Sequence, residues 1–105
     1  MSKKYSLDFK ADKKKLFKSC IKAIEKLGHE IEEINDDNFE LNATTKKIAK
    51  VFGFNKNRDA YDLFITVKKT GSNKSTLTIN VEAHTALIDF GVGKKIAHEI
   101  FDKIS

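Results

Sequence analysis

The chain has 105 residues, 40% of them hydrophobic and 33% charged, with eight phenylalanines, no proline and a net charge of +5. That balance excludes disordered and fibrous classes and suffices for one hydrophobic core, so a single domain over residues 1–105 is expected to fold without disulfides or metals. A lone cysteine, Cys20, excludes an intrachain disulfide, and no run approaches the roughly 18 apolar residues of a membrane span, which leaves a reducing cytoplasm as the expected setting.

Neither a signal peptide nor a lipid anchor is expected. Met1-Ser2-Lys3-Lys4-Tyr5 leads into alternating rather than continuous apolar residues, Ser2 stands where myristoylation needs glycine, and Lys103-Ile104-Ser105 has no prenylatable cysteine. The charge is blocky. Residues 1–22 carry eight lysines against Asp8 and Asp12, residues 23–41 carry seven acids against Lys26, and residues 42–74 carry eight basic residues against Asp59 and Asp62. Blocks of this kind bear on solubility and non-specific attraction before they bear on function.

Tyr5, Leu7 and Phe9 alternate with Ser6, Asp8 and Lys10, the period of a half-buried strand. From Asp12, an N-cap residue, apolar positions recur at Leu16, Phe17, Cys20, Ile21, Ile24 and Leu27. That is one stripe of an amphipathic helix, stopped by Gly28. Residues 29–34 place Ile31 and Ile34 out of strict alternation, so a strand here is expected to carry a bulge or a twist. Asn35-Asp36-Asp37-Asn38 supplies a turn, and Phe39, Leu41 and Ala43 alternate as the hairpin partner.

Residues 45–58 fit either a short helix capped by Thr45 or, preferred here, a strand that lengthens the next hairpin. Tyr61, Leu63, Ile65 and Val67 alternate with Asp62, Phe64, Thr66 and Lys68, Phe64 being the one apolar exception. Gly71-Ser72-Asn73 turns the chain, and Leu77, Ile79, Val81 and Ala83 alternate again. A last stripe, Ile96, Ala97, Ile100, Phe101 and Ile104, reads as a C-terminal helix.

Strand, helix, four or five mostly antiparallel strands and a final helix describe an α+β domain of two layers, with a curved sheet and both helices on one face. This β-α-β4-α order resembles one half of the TATA-box-binding protein and various small bacterial and archaeal domains of unknown function. The likeness covers the whole chain but lies in element order. None of that protein's DNA-kinking phenylalanine pairs can be placed on this sequence, so the resemblance implies a fold and not DNA binding.

Three constellations carry chemistry. Lys13, Lys14 and Lys15 crowd the start of the first helix, where the dipole ordinarily favours acids. Gly91-Val92-Gly93-Lys94-Lys95 opens the last helix with glycines that let a backbone approach an anion and lysines that add charge, without the spacing or the Ser/Thr of a Walker loop. Lys46, Lys47, Lys50 and Arg58 interleave with Phe52 and Phe54, a mixture suited to single-stranded nucleic acid or a membrane surface. Each also has a bland structural explanation: a tight turn, solvated lysines, core phenylalanines.

Cys20 lies within the first helix's apolar stripe, as a small buried hydrophobe would. The spacing of His29, His84 and His98 matches no ligand pattern, so no metal or cofactor is expected, and without a nucleophile–base pair no enzymatic activity is. The leading expectation is a non-enzymatic cytoplasmic binding or adaptor domain. An anionic partner such as nucleic acid requires the basic segments to share one surface, and an apolar ligand requires an enclosed cavity of roughly 300 Å³. A protein or nucleic-acid partner, and a monomer or weak homodimer, both stay open.

Overall fold

The chain, described here by a computed structural model over residues 2–45, 61–83 and 91–104, runs in the order β1 (Ser2–Phe9), α1 (Lys13–Lys26), β2 (Glu30–Asn35), β3 (Glu40–Thr44), β4 (Tyr61–Gly71), β5 (Lys74–Ala83) and α2 (Val92–Ile104). The strands form one antiparallel sheet in the order β1-β5-β4-β3-β2, with both helices packed on one face. The α+β, two-layer expectation therefore holds.

Local chemistry sets the boundaries of α1. Asp12 stays extended at φ −69°, ψ 159°, and its Oδ1 accepts from Lys15 N at 2.9 Å, supplying one of the first-turn amides with an acceptor. At the far end Gly28 takes φ +84°. His29 N then donates to Ile24 O and Gly28 N to Glu25 O, each at 3.1 Å, the paired bonds of a Schellman motif. Leu16, Phe17, Cys20, Ala23 and Ile24 are buried, the stripe read from the sequence.

The hairpins hold with adjustments. Asn38 N donates to Asn35 Oδ1 at 3.2 Å, closing the β2–β3 turn as an Asx motif. Phe39 lies outside β3 and adopts φ +54°, so the strand begins one residue later than its alternation suggests. The irregularity expected in β2 is a register shift between Ile31 and Glu33. The β4–β5 turn narrows to Ser72 and Asn73, with Asn73 at φ +53°, and β5 begins at Lys74, ahead of its first large apolar residue.

Cross-strand register sorts the side chains onto two faces. Leu41, Ile65, Ile79 and Tyr5 stand in one inward row, and Ala43, Leu63 and Val81 in the next. Against these rows α1 and α2 bury Leu16, Ile24, Ile96 and Ile100, all at most 1% exposed. Leu7 departs from the expected burial: on the edge strand β1 it stays 43% exposed, although its partner Leu77 is fully buried.

The helices run in opposite directions. Near the start of α1, Lys13 and Phe17 meet Phe39, at the end of the sheet where β3 begins. In α2, His98 lies against Tyr5, and Phe101, one turn nearer its C-terminus, lies against Phe9 at the close of β1. β1 closes at the end where β3 begins, so α2 finishes near that end and starts at the other.

Candidate functional site

That antiparallel arrangement separates the two lysine-rich helix starts. Lys13, Lys14 and Lys15 stand at one end of the sheet and Lys94 and Lys95 at the other, so they cannot flank one small anion. The start of α1 is also occupied: Asp12 provides the negative group that the dipole favours, and the Lys13 ammonium sits 4.6 Å from the Phe39 ring centroid. The start of α2 is built differently. Gly91, at φ +79°, accepts from Lys95 N at 3.1 Å, Gly93 is buried, and Lys94 and Lys95 are exposed. Lys46, Lys47, Lys50 and Arg58, with Phe52 and Phe54, lie outside the described residues, as does His84.

Two other reactive residues read from the sequence, Cys20 and His98, pack against neighbours. Cys20 is fully buried, and that burial pushes its thiol from 9.0 up to about 12, so it holds its proton and is no nucleophile at neutral pH. His98 packs edge-on against the rings of Tyr5 and Phe101. Among the described residues no group of three His, Cys, Asp or Glu side chains is placed to hold a metal ion.

The sheet face turned away from the helices holds a different constellation. Its central row runs Glu33, Asn42, Phe64, Asn80 and Lys4 across all five strands. Beside it run Asn35, Glu40, Thr66, Thr78 and Ser6, the last two joined by a 3.0 Å hydroxyl hydrogen bond. Among the described residues Phe64 is the large apolar side chain on this polar surface, and it is 38% exposed. Two shallow clefts of about 130 Å³ each lie along β3. One is lined by Glu32, Asn42, Asp62 and Phe64, the other by Glu33, Asn35, Glu40 and Asn42. They share Asn42 and together form a groove along β3, in which the first cleft sets the Phe64 ring beside Glu32 and Asp62 and the second adds Glu33 and Glu40.

Sequence reasoning misses this groove as a site, although its main signal is present. Phe64 breaks the alternation of β4, and an apolar residue on the polar phase of a half-buried strand either packs beneath another element or faces solvent. The cross-strand partners that make it a surface, Asn42 and Asn80, follow from register, which the chain order alone does not give. Asn80 Oδ1 is buried and has no hydrogen-bond partner among the described residues.

No protein-family model and no curated protein matches the sequence. Solved structures do match. Ara h 8.0201 superposes over 99% of this chain and 94% of its own, with a TM-score of 0.69 and 16% identity. The protein TTHA0849 from Thermus thermophilus does so over 99% of this chain and 94% of its own, with a TM-score of 0.61 and 8% identity. The class defined is an α+β fold, an antiparallel sheet with helices on one side, shared with these structures. At these identities the likeness is one of fold and carries no ligand or partner with it.

Proposed function

We propose that the chain is a non-enzymatic binding domain that takes its partner on the outer face of the sheet, around Phe64. One observation carries this reading: a phenylalanine 38% exposed at the middle of a polar sheet face, beside a groove that continues along β3. Exposed aromatics on rigid strands supply binding area at low entropic cost, and the flanking amides supply direction.

The inner face suits a ligand less well. Leu63, Ile65, Leu77 and Ile79 meet Leu16, Ile24, Ile96 and Ile100 there, all at most 1% exposed, which leaves the described interior filled by its own side chains. DNA binding by analogy with the TATA-box-binding protein is also weakly supported, since Glu33, Glu40 and Glu82 on the outer face would repel phosphates. An anion at the start of α2 is a second reading, favoured by Gly91, which brings no capping side chain, and by the exposed Lys94 and Lys95.

Two variants separate these readings: Phe64→Thr, which keeps a strand-forming residue, and Lys94→Ala with Lys95→Ala. Screened by calorimetry against single-stranded DNA, an arginine-bearing peptide and anionic vesicles, binding by the wild-type chain is expected to weaken in the Phe64 variant and survive in the lysine variant. The reverse pattern would reject the outer face in favour of the start of α2.

A further inference from the structure

We infer that the groove along β3 accepts a cationic side chain, arginine or lysine, from an extended basic segment of a partner protein. This rests on the outer-face reading above and names the partner's chemistry. The chain is basic overall, yet four of its fifteen acids, Glu32, Glu33, Glu40 and Asp62, line these clefts. Glu32 and Glu33 on β2 and Glu40 on β3 are exposed, while Lys4, Lys68 and Lys74, basic residues of the same face among the described residues, stand outside the clefts. Asp62 and Glu30 already take part in interactions of their own, so the available negative charge rests with Glu32, Glu33 and Glu40.

Phe64 supplies what an acidic surface alone lacks. Its ring forms a wall of the cleft that also holds Glu32 and Asn42, so a guanidinium or ammonium group entering there meets a π-face and carboxylates together, and its aliphatic stem covers the exposed ring. A third observation points to a donor. Asn42 lines both clefts and Asn35 one of them, so amide oxygens stand there beside the carboxylates. Arginine, with donors but no acceptor, matches a surface of carboxylates and amide oxygens. An extended peptide is the natural carrier, because its alternate residues face one side and the two clefts follow a single strand, β3.

The test uses the full chain with three probes: an acetylated hexapeptide of alternating arginine and serine, its glutamate–serine counterpart, and spermidine. Calorimetry is paired with backbone amide shifts. The arginine peptide is expected to bind with shifts centred on Asn42, Phe64 and Asn80. Binding should weaken by about two- to fivefold in Phe64→Thr and by a similar factor in Glu33→Gln with Glu40→Gln, and fall as salt is raised. Equal binding of the glutamate peptide, or an arginine affinity unmoved in the glutamine variant, would overturn the cation assignment. Spermidine binding as tightly as the peptide would overturn the assignment to a peptide segment. If DNA or vesicles shift Phe64 while the arginine peptide stays silent, the inference falls and the outer-face reading stands. If the peptide shifts only residues on the helix side, both fall.

Discussion

The Lys13 ammonium lies 4.6 Å from the centroid of the Phe39 ring, tying the first turn of α1 to the residue that leads into β3. The same ring meets Phe17 edge-on at 5.6 Å. Lys13 opposes the helix dipole, at a cost of about 0.3–1 kcal/mol, and gains about 0.5–1 kcal/mol from the half-buried Phe39 ring. Lys13→Ala should therefore change stability little in the native background and raise it once Phe39 is leucine. A double-mutant cycle by urea unfolding measures that coupling. Phe39→Leu alone should cost about 1 kcal/mol through the lost edge-to-face pair.

The carboxylate of Asp12 caps the same turn through Lys15 N. Asp12→Ala should destabilise by about 0.5–2 kcal/mol, and Asp12→Asn by less, since the amide oxygen still accepts. Denaturant midpoints with unchanged slopes would confirm the loss as one of stability.

Cys20 gives a pH signature. Its thiol is held at about 12 in the fold and lies near 9.0 when unfolded, so above pH 9 the unfolded chain loses a proton that the folded chain keeps. The unfolded state then binds fewer protons, and stability falls between about pH 9 and pH 12, by up to ~1.4 kcal/mol per pH unit from this group. Below pH 9 the group contributes no slope. Cys20→Ala should remove that component of the alkaline decline, and the native thiol should resist alkylation at neutral pH until the chain unfolds.

Gly91 holds φ +79°, and a Cβ built there meets nothing within 4 Å. The constraint is conformational and not one of space. Gly91→Ala should cost about 1–2 kcal/mol and Gly91→Asn less, read by thermal unfolding.

Much of this architecture is legible in the sequence because single residues report a face. Leu63, Ile65 and Val67 alternate and are all buried, and the broken spacing of Ile31 and Ile34 marks the register shift in β2. Asp12 and Gly28 bound α1 through hydrogen bonds that local sequence dictates. The candidate site is less legible. Lysines are conspicuous at both helix starts, but which end of the sheet each start occupies depends on packing across the whole domain. Phe64 is conspicuous too, as an exception, and gains meaning only when register places Asn42 and Asn80 beside it. Phe39 falls outside the strand its spacing suggests because alternation is blind to a positive φ.

The most direct test of the outer-face account is a titration of the labelled chain with the arginine–serine peptide, followed residue by residue through backbone amide shifts. The expected result is a contiguous set of shifts at Glu33, Asn42, Phe64 and Asn80, with Lys13, Lys14, Lys15, Lys94 and Lys95 unmoved. Shifts confined to those lysines, with the sheet face silent, would contradict it.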